Sequence, residues 1–144
     1  MIVGDKLNKQ EEVLNSIKNF KLTQPLGEVY EGLTNTLKKV EAKGQTAMGP
    51  AIISAIEIAA KGSPGSMVTL CTDGLSNLGV GSLEEVTEDK IKLYEEIAEY
   101  AKSKNIVINI MSIKGEGCKL EVIGKLAELT NGNLEILNPE KLSE

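Results

Sequence analysis

Two β-prone apolar runs, Ser66 to Thr72 and Ile106 to Ile113, are separated by a long stretch whose apolar residues recur at helical spacing. A strand, a helix and a second strand joined by short links make a parallel βαβ unit, with the helix crossing over one face of the sheet. That pattern narrows the chain to an α/β fold. Within the first run Met67, Val68, Leu70 and Cys71 show no clean alternation, so this strand is expected to be central and covered on both faces. The second run is the stronger strand, and Lys114-Gly-Glu-Gly117 stops it.

The flanking segments extend the same alternation. Gln10 to Phe20 carries Val13, Leu14, Ile17 and Phe20 at helical spacing, and Leu26, Val29, Tyr30, Leu33, Leu37 and Val40 make a second stripe after Pro25. From Ala47 to Lys61 apolar residues leave little polar surface, so that helix must be buried, with Thr46 as its expected N-cap. Ser82-Leu-Glu-Glu85 fits a capping box for a helix reaching about Lys104, and its buried face is lined by Ile91, Tyr94, Ile97, Ala98 and Ala101. Leu120 to Thr130 is a further helix, closed by Asn131-Gly132-Asn133, and Leu134 to Leu137 a last strand. Met1 to Val3 reads as the tail of a strand before a Gly4-Asp5 turn. The expected architecture is a Rossmann-like three-layer α/β/α sandwich with a mainly parallel sheet, and ligands beyond the carboxyl ends of its strands.

Composition limits what such a domain does. The 144 residues suit a single domain, and 16 basic against 21 acidic residues, with a net charge of −5, give no broad positive field for a nucleic acid backbone. The four aromatic rings fall in helical segments and form no base-stacking platform. Cys71 and Cys118 are too few for a disulfide framework and read as free thiols in a reducing compartment. No run is long enough to span a membrane and no leader pattern opens the chain, so a soluble, cytoplasmic protein is expected.

Chemistry concentrates in two short stretches, Gly44-Gln-Thr-Ala-Met-Gly-Pro50 and Leu70-Cys-Thr-Asp-Gly74. They place the Thr46 hydroxyl and the Asp73 carboxylate at the ends of neighbouring elements, where a hard-cation site would sit. Two simpler roles stand beside this one: Thr46 as a helix cap and Asp73-Gly74 as a strand-ending turn. Gly79-Val-Gly81-Ser82, ahead of a helix, is a candidate phosphate cradle without a full glycine fingerprint. With no histidine to act as base, Cys71 and Asp73 make no catalytic dyad. No catalytic residue is assigned, and the chain reads as no enzyme.

From about Leu26 onward, Gly44-Gln-Thr46-Ala-Met-Gly-Pro-Ala51, then Met67-Val-Thr-Leu-Cys-Thr-Asp73-Gly-Leu-Ser-Asn77, then Ile106 to Ile113 together resemble the second half of a von Willebrand factor A (VWA) domain. The resemblance implies that Thr46 and Asp73 contribute to a metal-ion-dependent adhesion site for Mg2+, with a partner's carboxylate completing the coordination shell. It implies a protein-binding surface around Gln45, Thr46, Asp73, Ser76 and Asn77; Gln45, Ser76 and Asn77 carry further side-chain oxygens near the site, but the family pattern does not call for them as metal ligands.

The family's Asp-x-Ser-x-Ser loop is missing: the only aspartates are Asp5, Asp73 and Asp89, and none begins it. Magnesium prefers six oxygen ligands, so one hydroxyl and one carboxylate leave Mg2+ weakly held or absent in this chain alone. Residues 1–144 therefore read as a single VWA-like domain or a fragment of one, lacking the family's first strands, with its sheet edge open to a missing N-terminal segment or a second copy. The leading expectation is a non-enzymatic interaction module. One alternative is a scaffold domain assembling through its sheet edge, as in vesicle-coat trunk domains, with a vestigial metal site. A further alternative, a nucleotide-binding or transferase domain, rests on fold analogy.

Overall fold

The structure, a computed structural model, describes residues 4–21, 24–41, 43–113 and 119–138. After a 3-10 turn at Gly4–Asn8 come α1 (Gln10–Ile17), α2 (Leu26–Leu37), α3 (Met48–Ala59), β1 (Met67–Thr72), α4 (Glu88–Ser103), β2 (Val107–Ile113), α5 (Leu120–Thr130) and β3 (Leu134–Leu137). The sheet is parallel, in the order β1-β2-β3, with Met67 beside Val107 and Ile110 beside Leu134. The α/β class and the parallel sheet expected from the alternating pattern are present. The expected strand at Met1 to Val3, the stop at Lys114 to Gly117 and Cys118 lie outside the described residues.

A single core forms on one face of the sheet. Ile108 and Ile110 of β2 are fully buried against Ile52, Ile53 and Ile56 of α3, Tyr94 and Ile97 of α4, and Ile123 and Leu126 of α5. Burial alternates strictly along β2, and its other side chains, Val107, Asn109, Met111 and Ile113, are only half-buried. Along β1 the alternation is between exposed Met67, Thr69 and Cys71 and half-buried Val68, Leu70 and Thr72. By register Met67, Thr69 and Cys71 share a face with Val107, Asn109 and Met111, and no described helix packs extensively on that face. The described residues thus form two layers rather than three. Among the described residues β1 is an edge strand with one open face, where a central strand covered on both was expected, because an apolar run without alternation does not reveal how many faces are covered.

Local chemistry explains the element boundaries, and two helix starts differ from expectation. Helix α4 starts at Glu88 rather than after Ser82: the Thr87 side chain accepts the Lys90 N–H at 3.4 Å, with Glu88 and Asp89 in the first turn favourable to the helix dipole. Helix α3 has Ala47, not Thr46, at its N-cap, and no side chain caps it. Helix α2 has the expected stripe but buries none of its residues. At the C-terminal end of α1, the Lys61 ammonium donates to the carbonyls of Ile17, Lys18 and Phe20 at 2.9–3.0 Å, placing a cation at the negative end of the helix dipole.

Close backbone approaches fix the loop after β1. A Cβ on Gly49 would collide with the Val80 carbonyl, so only glycine lets the first turn of α3 sit against this loop. Gly79, at φ 77°, turns the chain so that the Val80 N–H reaches the Leu7 carbonyl at 2.7 Å.

Candidate functional site

The two motifs meet at the carboxyl end of β1. The Asn77 side-chain oxygen accepts the Thr46 N–H at 2.6 Å, and the Thr46 carbonyl accepts the N–H groups of Asn77 and Leu78 at 3.0 and 3.1 Å. Three hydrogen bonds therefore clamp the loop before α3 to the loop after β1. At the end of the strand the Thr72 hydroxyl accepts the Gly74 N–H at 3.3 Å and lies 3.2 Å from the Gly74 carbonyl, closing a tight turn that includes Asp73.

The five predicted site residues occupy different environments. Gln45, Thr46 and Asp73 are exposed, and Asn77 is half-buried with its side-chain oxygen committed to Thr46. Ser76 is fully buried, which closes it to contact with a partner's surface. Its hydroxyl is the one buried side-chain oxygen among the described residues without a hydrogen bond of normal geometry. It does lie close enough to the Tyr94 phenol to favour the phenolate slightly, against the larger effect of burial, which raises the Tyr94 pKa. The Tyr94 hydroxyl itself donates to the Gly81 carbonyl at 2.8 Å.

The loop that suggested a phosphate cradle has another job. Its Val80 and Ser82 N–H groups are spent on the carbonyls of Leu7 and Gly79, and Thr87 separates it from the first turn of α4. No helix N-terminus there presents free amides to an anion. Sequence periodicity placed Tyr94 in the core but gave no sign of its bond to Gly81, nor of the Leu7 contact, because both depend on backbone carbonyls brought close by the fold.

The donors at the strand end suit a hard cation in kind but not in number. Among the described residues no three His, Cys, Asp or Glu side chains cluster to hold a metal. Asp73 supplies one carboxylate and Thr46 one hydroxyl, short of the six oxygens of a tightly held magnesium ion. A hollow of about 360 Å³ lined by Phe20, Lys21, Ile58, Lys61 and Gly62 lies at the opposite end of α3. It adds nothing to this site. No described helix is long and apolar enough to cross a membrane.

No protein-family model matches the chain. The chain is 34% identical over 147 residues to circularly permutated Ras protein 1 of Dictyostelium discoideum, an alignment covering 99% of the chain. This similarity overturns the resemblance to a von Willebrand factor A domain, and with it the adhesion module and the coat-like scaffold. The assignment as no enzyme falls too, since Ras proteins hydrolyse a nucleotide. The three stretches that carry the resemblance, Gly44 to Ala51, Met67 to Asn77 and Ile106 to Ile113, do not make a family assignment, because buried strands and strand ends that offer a hydroxyl and a carboxylate recur across many α/β folds. The chain is thus similar to a stretch of a Ras protein, and spans 17% of that relative's length.

Proposed function

We infer that the chain serves in nucleotide-dependent signalling of the Ras type, with the rim formed by Gln45, Thr46, Asp73 and Asn77 meeting the magnesium-bearing phosphates of the nucleotide. The observation that supports this function is the 34% identity sustained over 99% of the chain. Ras proteins cradle phosphates in a G-x-x-x-x-G-K-[ST] loop and hold Mg2+ through a hydroxyl of that loop and an aspartate. The sequence here has one Gly-Lys pair, Gly124-Lys125, followed by Leu126, and no such loop. The rim offers the other kind of contact, a carboxylate and a hydroxyl beyond a parallel strand. Magnesium is commonly held by one or two carboxylates together with substrate phosphates and water, so a nucleotide's own oxygens would supply what the rim lacks.

Titration with a fluorescent guanine nucleotide tests the proposal, with Mg2+, with chelator in its place, and with Mg2+ alone by calorimetry. Binding that needs both nucleotide and Mg2+, and that weakens at least tenfold in Asp73→Ala, is expected. No binding at millimolar nucleotide, or binding indifferent to Mg2+ and to Asp73→Ala, would overturn it.

A further inference from the structure

Two surfaces of the chain that carry exposed apolar side chains have no described partner. Along α2, Leu26, Tyr30, Leu33 and Leu37 lie at helical spacing on one side, and they remain 67%, 63%, 45% and 71% exposed. Across the sheet, the open face presents Met67, 61% exposed, and exposed Thr69 and Cys71 beside half-buried Val107 and Met111; β1 and β2 carry no charged side chain, and the charge on this face is exposed Glu135, in register with Met111 on the far strand β3. A helix with a bare stripe and a sheet with a bare face are the two halves of one helix-on-sheet layer.

We propose that α2 of one chain lies across the open sheet face of a second copy, which returns its own α2 in the same way. The dimensions agree: twelve helical residues span about 18 Å, and six strand residues about 20 Å. The exchange is isologous and closes on a two-fold axis, leaving neither surface free to propagate. Taking the exposed part of each stripe residue as roughly 100 Å², four of them with a matching area of sheet remove about 800 Å². Two reciprocal contacts then reach about 1,600 Å², the ordinary size of a stable interface. The connector between α2 and α3 suits the helix to this exchange, since Gly44 sits at φ 77° and Lys43 to Thr46 are exposed. This inference stands independently of the nucleotide proposal.

Light scattering and thiol labelling test it together, in a Cys118→Ser background that leaves Cys71 as the sole thiol. The chain is expected to be dimeric at tens of micromolar, with Cys71 labelled at least tenfold more slowly than in a Leu33→Asp/Leu37→Asp variant. That variant is expected to be monomeric with an unchanged circular dichroism spectrum, because α2 contributes nothing to the core. A monomer with freely reactive Cys71 overturns the proposal. So does a monomer whose Cys71 is protected in an α2-dependent way, since the helix then covers its own sheet. A dimer that persists in the double variant points to a different surface and overturns it equally, as does a dimer whose Cys71 labels as fast as in the variant, since another segment of a longer parent is then the natural cover.

Discussion

Asn77 accepts the Thr46 N–H through its side chain while donating its own N–H to the Thr46 carbonyl, so two residues 31 positions apart close a ring of hydrogen bonds at the carboxyl end of β1. Backbone and side chain act together here. Leu78 adds a second donor to the same carbonyl, which fixes the peptide groups on both sides of Thr46.

Removing the Asn77 side chain opens one arm of that ring. A half-buried hydrogen bond contributes about 0.5–1.5 kcal/mol net, so Asn77→Ala is expected to lower stability by about 1 kcal/mol in urea. Amide exchange gives the sharper readout. The Thr46 N–H should exchange faster in the variant while the amides of β2 keep their protection, scaled only by the global change.

Gly49 tests the next contact along the same loop. Its Cα faces the Val80 carbonyl so closely that an alanine methyl group has no room, and backbone rather than a flexible side chain must move. Overpacking of this kind costs about 1–3 kcal/mol. Gly49→Ala is therefore expected to lose at least that much in a denaturant melt, whereas Gly27→Ala, with open space around its Cα, should be neutral or stabilising.

What the sequence made legible follows from which forces act locally. Helices α1, α3 and α5 and strand β2 were readable because a periodic apolar pattern is itself the cause of their burial. Thr87 was missed as the cap of α4 because Ser82-Leu-Glu-Glu85 offers the same residue types five positions earlier. The stripe of α2 was legible, but its lack of a described partner was not, since amphipathicity states that a face can be buried and not what buries it. Thr46 and Asp73 stood out by residue type alone. Their neighbourhood did not, because the Asn77 clamp and the burial of Ser76 depend on loop paths set by Gly49, Gly79 and Gly81.

Thr130 joins α5 to the sheet in a way that one isosteric change can isolate. Its buried hydroxyl accepts the Ile108 N–H at 3.0 Å and donates to the Leu126 carbonyl at 2.6 Å. Pairing of β2 with β3 begins only at Ile110, so this hydroxyl takes the place of a strand partner for Ile108. Thr130→Val keeps the shape and strands a buried donor, which costs about 1–3 kcal/mol. Thermal and urea melts of Thr130→Val and Thr130→Ser should separate the effects: the serine variant keeps the bond and is expected to recover most of the loss.

Alkaline pH should weaken the fold through two tyrosines. Burial raises the Tyr94 pKa above its ordinary 10.0, with a smaller opposing effect from Ser76. Tyr100 is raised to about 12, first by desolvation and then by its hydrogen bond to the Glu57 carboxylate and that group's charge. Between pH 10 and about 12 the unfolded chain therefore holds fewer protons on these phenols than the native chain does. Stability falls with pH wherever the unfolded state binds fewer protons, so the contribution is complete below pH 10 and is lost as pH climbs through the folded values. Urea melts from pH 9 to 12 should show this decline. Tyr94→Phe is expected to be less stable at pH 8, because the Gly81 carbonyl loses its donor, yet to decline less steeply above pH 10. An equal slope in Tyr94→Phe and the parent would mean that the Tyr94 phenol ionises as readily in the fold as out of it.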